Sequence, residues 1–130
     1  MNKKTFLVAC LAAVAFGVTV GFMPAKGISQ KGDTTVVNTT TIASKVRGLN
    51  GATPVKIYIA KDKIVKIETL PNQESPAFFE RAKAVLKAYN GKKVKAASAM
   101  KVDGVSGATY SSRALIKNVQ QGLNYYQNNK

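Results

Sequence analysis

Two periodicities and one unbroken apolar block organise this chain. The block comes first: Thr5 to Met23 holds 19 residues without a charge, interrupted only by threonine hydroxyls, one thiol and glycines. As a helix it spans about 28 Å at a rise of ~1.5 Å per residue, close to the thickness of a hydrocarbon core. Gly27 to Asp33 is small and polar and reads as a linker. Thr34 to Ala43, rich in Thr and Val, has the composition of a strand, and Gly48-Leu49-Asn50-Gly51 breaks it. After Pro54, the alternation of Val55, Ile57 and Ile59 with less apolar neighbours predicts a half-buried strand. Lys61-Asp62-Lys63 makes a short turn, and Ile64 to Leu70 completes a hairpin.

The period then changes to that of a helix. Ser75 stands at a capping position and Pro76 at the first helical position, where a missing N–H costs nothing. Phe78, Ala82, Val85, Leu86 and Tyr89 share a face, Phe79 sits beside them, and Asn90-Gly91 ends the helix. Val94 to Val102 reads as a further strand. Asp103 to Ser112 is small and polar. It leads into a last helix, with Leu115, Ile116, Val119, Leu123 and Tyr126 on one face and Gly122 interrupting it at modest cost. This order predicts an α+β fold: a small, mostly antiparallel sheet with helices packed on one face, preceded by an N-terminal apolar helix. The expected organisation is 1–26 as signal peptide or membrane anchor, 27–47 as linker and first strand, and 48–130 as the functional domain.

The leader determines where the rest operates. Lys3 and Lys4 ahead of an apolar run keep the N terminus in the cytoplasm and export the remainder of the chain. Three readings compete: a cleaved signal peptide ending at Ala15 or Ala25, an uncleaved anchor, or a lipoprotein signal acylated at Cys10. All three place residues 27 to 130 on the outer side of the cytoplasmic membrane. Cys10 is the single cysteine and there is no histidine. The exported part therefore has no disulfide, no thiolate nucleophile and no Ser-His triad, which excludes the ordinary hydrolytic chemistries. The net charge is +14, and without Lys3, Lys4 and Lys26 there remain 17 basic residues against 6 acidic. Such a bias suits anionic partners, an anionic membrane surface or wall polymer before nucleic acid in an exported chain, or simply gives a basic solvated surface.

One stretch carries candidate chemistry: Asp103-Gly104-Val105-Ser106-Gly107-Ala108-Thr109, running directly into a helix. Two readings stand side by side. A helix N-terminus offers free N–H groups and the positive end of the dipole, so a phosphate sits well there. Gly107 and Ala108 remove bulk, so a large group can approach the backbone. Alternatively the turn is an elaborate helix cap in which Ser111 or Ser112 bonds the first turn.

Asp103-Gly104-Val105-Ser106-Gly107-Ala108-Thr109-Tyr110-Ser111-Ser112 resembles the signature of the FMN-binding domain family, which includes flavin subunits of the Rnf and Nqr redox complexes. The family pattern is Asp, two free positions, Ser or Thr, Gly, Ala, then Thr or Ser, and every fixed position matches. The resemblance extends from Gly48 through Glu74-Ser75-Pro76 to the last helix, and it identifies 48–130 as an FMN-binding domain. It departs after Pro76: Ala77-Phe78-Phe79 replaces the Gly-Leu-Gly turn of the ion-pump relatives, as in shorter stand-alone domains.

The resemblance implies a covalent FMN, phosphoester-linked to Thr109 and installed from FAD by a magnesium-dependent flavin transferase. Ser106, Gly107 and Ala108 form the turn around the phosphate, Asp103 serves the transferase, and Tyr110, Phe78, Phe79 and Tyr58 are candidates for the wall against the flavin ring. Glu74 either caps its helix or lines the flavin site. The function implied is an exported electron carrier rather than a complete oxidoreductase, working with membrane or extracytoplasmic redox proteins. Two alternatives remain: a flavin-carrying subunit of a membrane reductase or ion-pumping complex, and a non-redox basic module binding anionic lipid or wall polymer.

Overall fold

The computed structural model describes residues 27–130. The apolar leader lies outside them, and with it the expected N-terminal helix and the alternatives at Ala15, Ala25 and Cys10. The sheet is a meander of four antiparallel strands in the order β1-β2-β3-β4: β1 Ile28–Lys31, β2 Thr34–Asn38, β3 Val55–Ala60 and β4 Lys63–Thr69. Val37 of β2, Val55, Ile57 and Ile59 of β3 and Ile64 of β4 are fully buried on one face. The helices cover that face, so the fold is α+β as the periodicities predict.

Three sequence expectations are corrected. The stretch read as a linker from Gly27 to Asp33 contains β1, paired Ser29 to Val36 and Gln30 to Thr35. Its polarity reflects an edge strand with little to bury, and the Gly32-Asp33 pair is itself a hairpin turn, with Gly32 at φ +63°. The strand from Thr34 stops at Asn38, whose side chain accepts the Thr40 N–H and opens a short helix, α1 Thr39–Ile42. Val94 to Val102 is no strand. It forms helix α3, Val94–Ala99, because its Ala-Ala-Ser-Ala run is helix-compatible and only Val94 and Ala97 are buried, a spacing of three.

Helix α2, Pro76–Ala82, starts behind Ser75 and tightens into a 3-10 helix over Lys83–Tyr89. Phe79, Ala82, Val85, Leu86 and Tyr89 enter the core, whereas Phe78 turns to solvent. The long helix α4, Thr109–Asn129, buries Leu115, Val119, Leu123 and Tyr126 against the sheet and the other helices.

Two devices fix how α4 lies. Gly122 faces β3 and α1: a Cβ there would stand 2.7 Å from Ile57 Cδ1 and 2.9 Å from Thr39 Cγ2, so glycine permits the close approach. One turn earlier, buried Asn118 donates to Thr53 Oγ1 at 3.1 Å and accepts from Thr39 Oγ1 at 2.7 Å. The Thr39 hydroxyl in turn accepts the Val55 N–H at 2.9 Å. This network, satisfied throughout, sets the rotation of α4 and therefore the direction of its first turn.

The far end of α4 is tied to the β3–β4 turn. Lys61 and Asp62 both sit at positive φ, 52° and 61°, the twist a two-residue hairpin requires. The Asp62 carboxylate accepts the Tyr126 hydroxyl at 2.7 Å and Lys130 at 3.4 Å, and its carbonyl accepts the Val94 N–H at 2.8 Å. Burial and then the bond to Asp62 push the Tyr126 phenol up to about 12.

Candidate functional site

The signature turn folds as a compact entry to α4. The Ala108 N–H bonds the Val105 carbonyl at 2.9 Å, and Gly107 takes φ +84°, a conformation that glycine adopts without strain. Ser112, fully buried, accepts the Val105 N–H through its Oγ at 2.9 Å and donates to the Thr109 carbonyl. A Cβ on Gly104 would come within 3.0 Å of that oxygen, so Gly104 lets the loop close on Ser112. Ser112 thus clasps the preceding loop and caps no N–H of the first helical turn.

The helix end itself stays open. The helical ladder begins with the Ser112 N–H on the Ala108 carbonyl at 2.9 Å, so the N–H groups of Thr109, Tyr110 and Ser111 precede it. Ala108 offers no side-chain cap, and the first turn contains no acidic residue. A helix of 21 residues with its positive end uncapped is suited to an external anion. The exposed Thr109 hydroxyl stands at that end. Ser106 and Asp103 are also exposed, and Ala108 is buried beneath the turn.

Glu74 organises the neighbouring wall. It is buried, and its carboxylate accepts the Leu49 N–H at 2.9 Å, the Asn50 N–H at 2.6 Å and the Ser111 hydroxyl at 2.6 Å. Glu74 does not cap its own helix: it caps the Gly48–Gly51 turn and clips that turn to the first turn of α4. Burial opposes its charge, but the Ser111 hydroxyl and the backbone N–H groups of Asn50, Leu49 and Gly51 outweigh burial and hold the carboxyl below its ordinary range. Gly48 is required here, because a Cβ would collide with Glu74 Oε1.

The candidate aromatics separate. Phe79 belongs to the core, and Tyr58 lies on the opposite face of the sheet, bonded to Glu68 at 2.7 Å with Lys66 over its ring. Phe78 and Tyr110 remain, 45% and 68% exposed. Leu49, which the sequence did not single out, is 63% exposed on the turn that Glu74 clips to α4. Three of the four exposed large hydrophobics among the described residues thus belong to segments bordering the α4 entry.

Arg81 is a second residue without a sequence signal. Its Nη1 lies 3.2 Å from where a Cβ on Gly107 would stand, so the guanidinium occupies space that any side chain at 107 would claim. An open groove of about 380 Å³ is lined by Asp103, Gly104, Lys101, Arg113 and Lys117 among others. A larger groove of about 480 Å³, between β4 and the 3-10 helix, contains none of the signature residues.

The structure therefore brings Ser106, Gly107, Ala108, Thr109 and Tyr110 to one uncapped helix end, with Asp103 at its approach. The family model described as FMN-binding domain matches residues 48–124, more than half of the chain. That span runs from the Gly48–Gly51 turn through Glu74 and the signature into α4. No curated protein matches the chain.

Proposed function

The chain belongs to the FMN-binding domain family, and from that premise we propose that it carries FMN as a phosphoester on Thr109 and relays electrons outside the cytoplasmic membrane. The observation that carries this reading is the open N-terminus of α4: three N–H groups ahead of the ladder, no side-chain cap, no acidic residue in the helix's own first turn, and an exposed threonine. A phosphoryl group fits that donor set.

Among the hydroxyls of the signature, burial and bonding narrow the choice. Ser111 is committed to Glu74 and Ser112 to the Val105–Thr109 clasp. Thr109 is exposed and sits on the first helical turn. Attachment would join the Thr109 oxygen to the FMN phosphate in place of the pyrophosphate link of FAD, with AMP as the leaving group and the hydroxyl proton taken up by the transferase. Asp103, exposed beside the turn, is the handle for the magnesium-dependent transferase.

Bound FMN supplies one- and two-electron redox chemistry. The protein's part is placement. Phe78, Tyr110 and Leu49 offer an apolar border for the ring, and Arg81, Lys101, Arg113 and Lys117 supply positive charge that favours a reduced, anionic flavin. No helix among the described residues is long and apolar enough to cross a membrane. A small domain with an exposed attachment point favours a carrier that exchanges electrons with membrane or extracytoplasmic partners. The test is a denaturing gel of the protein from its native membrane. A band that fluoresces as flavin supports the reading, and a dark band contradicts the covalent linkage.

A further inference from the structure

We propose that Arg81 is the counter-charge of the cofactor phosphate, completing the anion site beside the helix end. The proposal rests on the attachment reading and extends it to a residue outside the signature. Arg81 stands in the last turn of α2, three residues after Phe78, and residues at that spacing share a helix face. That face looks onto the signature turn: Arg81 Nη1 lies 3.2 Å from the Cβ position of Gly107, two residues before Thr109.

The charges around it leave Arg81 uncommitted. Among the described residues it forms no ion pair, whereas its neighbour Glu80 is held by Lys83 at 2.7 Å, Glu68 by Lys66 at 3.1 Å and Asp62 by Lys130 at 3.4 Å. Glu74 is taken up by the Gly48–Gly51 turn and Ser111. A cation beside an uncapped positive helix end is unfavourable until an anion arrives between them. A phosphodiester on Thr109 supplies that anion, and a guanidinium matches two phosphate oxygens in a way an ammonium does not.

This assignment gives Gly107 a second reason to be glycine. The first is its φ of +84°. The second arises once the phosphate holds Arg81: a methyl group at 107, 3.2 Å from Nη1, is then no longer relieved by a shift of the arginine side chain. Phe78 and Arg81 would then act together, one bordering the ring and the other holding the phosphate.

The experiment compares the full-length wild type with Arg81→Gln and Arg81→Lys, each produced with and without a flavin transferase. Intact mass gives the fraction loaded, and thermal melting of the apo and loaded forms at low and high salt gives the stabilisation on loading. The wild type should melt higher when loaded, and high salt should shrink that gain. Arg81→Gln should melt with the wild type when apo, yet load poorly or lose most of the gain. Arg81→Lys should restore part of it. A neutral variant that loads fully with an undiminished, equally salt-sensitive gain overturns the proposal, as does an apo Arg81→Gln that melts far below wild type. A wild type that takes up no flavin overturns the attachment reading itself, a result distinct from either.

Discussion

Thr109 and Asp103 differ in what their loss should do, because both are exposed but only Thr109 is the proposed attachment residue. Asp103→Asn should slow flavin loading while leaving the melting temperature close to wild type, since an exposed substitution usually costs under ~0.5 kcal/mol. A large drop in melting temperature would make Asp103 structural instead. Glu74 is the opposite case: buried and bonded to two backbone N–H groups and a hydroxyl. Glu74→Gln should cost about 1.5–3 kcal/mol, the range for hydrogen bonds to a charged group. Its folded carboxyl is held below the ordinary value of 4.5. The stability it adds is therefore fully present above that value and is lost as pH falls through the folded one. Urea unfolding between pH 6 and pH 3, taken as approximate limits of that window, should show a shallower acid limb in Glu74→Gln than in wild type.

At the scale of elements, α4 behaves as a bar pinned at three points. Gly122→Ala tests the middle one. Alanine would gain about 1 kcal/mol in helix propensity, but overpacking against Ile57 and Thr39 costs ~1–3 kcal/mol. The Thr39 methyl cannot swing away without breaking its bonds to Asn118 and Val55, so the cost should win and the variant should melt below wild type. The far pin is Tyr126 on Asp62. The raised phenol adds stability below about pH 10 that is lost as pH climbs to about 12, so Tyr126→Phe should flatten the alkaline limb of a stability profile. Much of this architecture was legible from pattern: β3, β4, the start of α2 and the buried face of α4 follow from periods of two and 3.6. Strand β1 was hidden because an edge strand needs few apolar residues, and α3 because small residues satisfy either period. In the site, the signature was readable from Asp103 to Thr109. Glu74's clip, Leu49 and Arg81 were not, because long-range contacts leave no local spacing to read.

For the whole molecule, the meander and its single helical layer hold the entry of α4 at one end, clear of the tie between Tyr126 and Asp62. The proposed attachment point at Thr109 is exposed, which would suit exchange with other proteins, and a net charge of +14 would suit loose, salt-dependent association with anionic headgroups. If the leader remains as an anchor, it raises the local concentration of the domain near membrane-bound partners. N-terminal sequencing of the native membrane fraction should then find Met1 or Asn2, whereas a soluble form starting after Ala15 or Ala25 contradicts the anchor. The central claim is the bond at Thr109, and the most direct measurement is intact mass with peptide mapping after co-expression with a flavin transferase. The account predicts an added mass of one FMN less one water, mapped to Thr109, abolished in Thr109→Ala and partly kept in Thr109→Ser. A flavin peptide mapped to Ser106, Ser111 or Ser112, or an undiminished mass gain in Thr109→Ala, would contradict it.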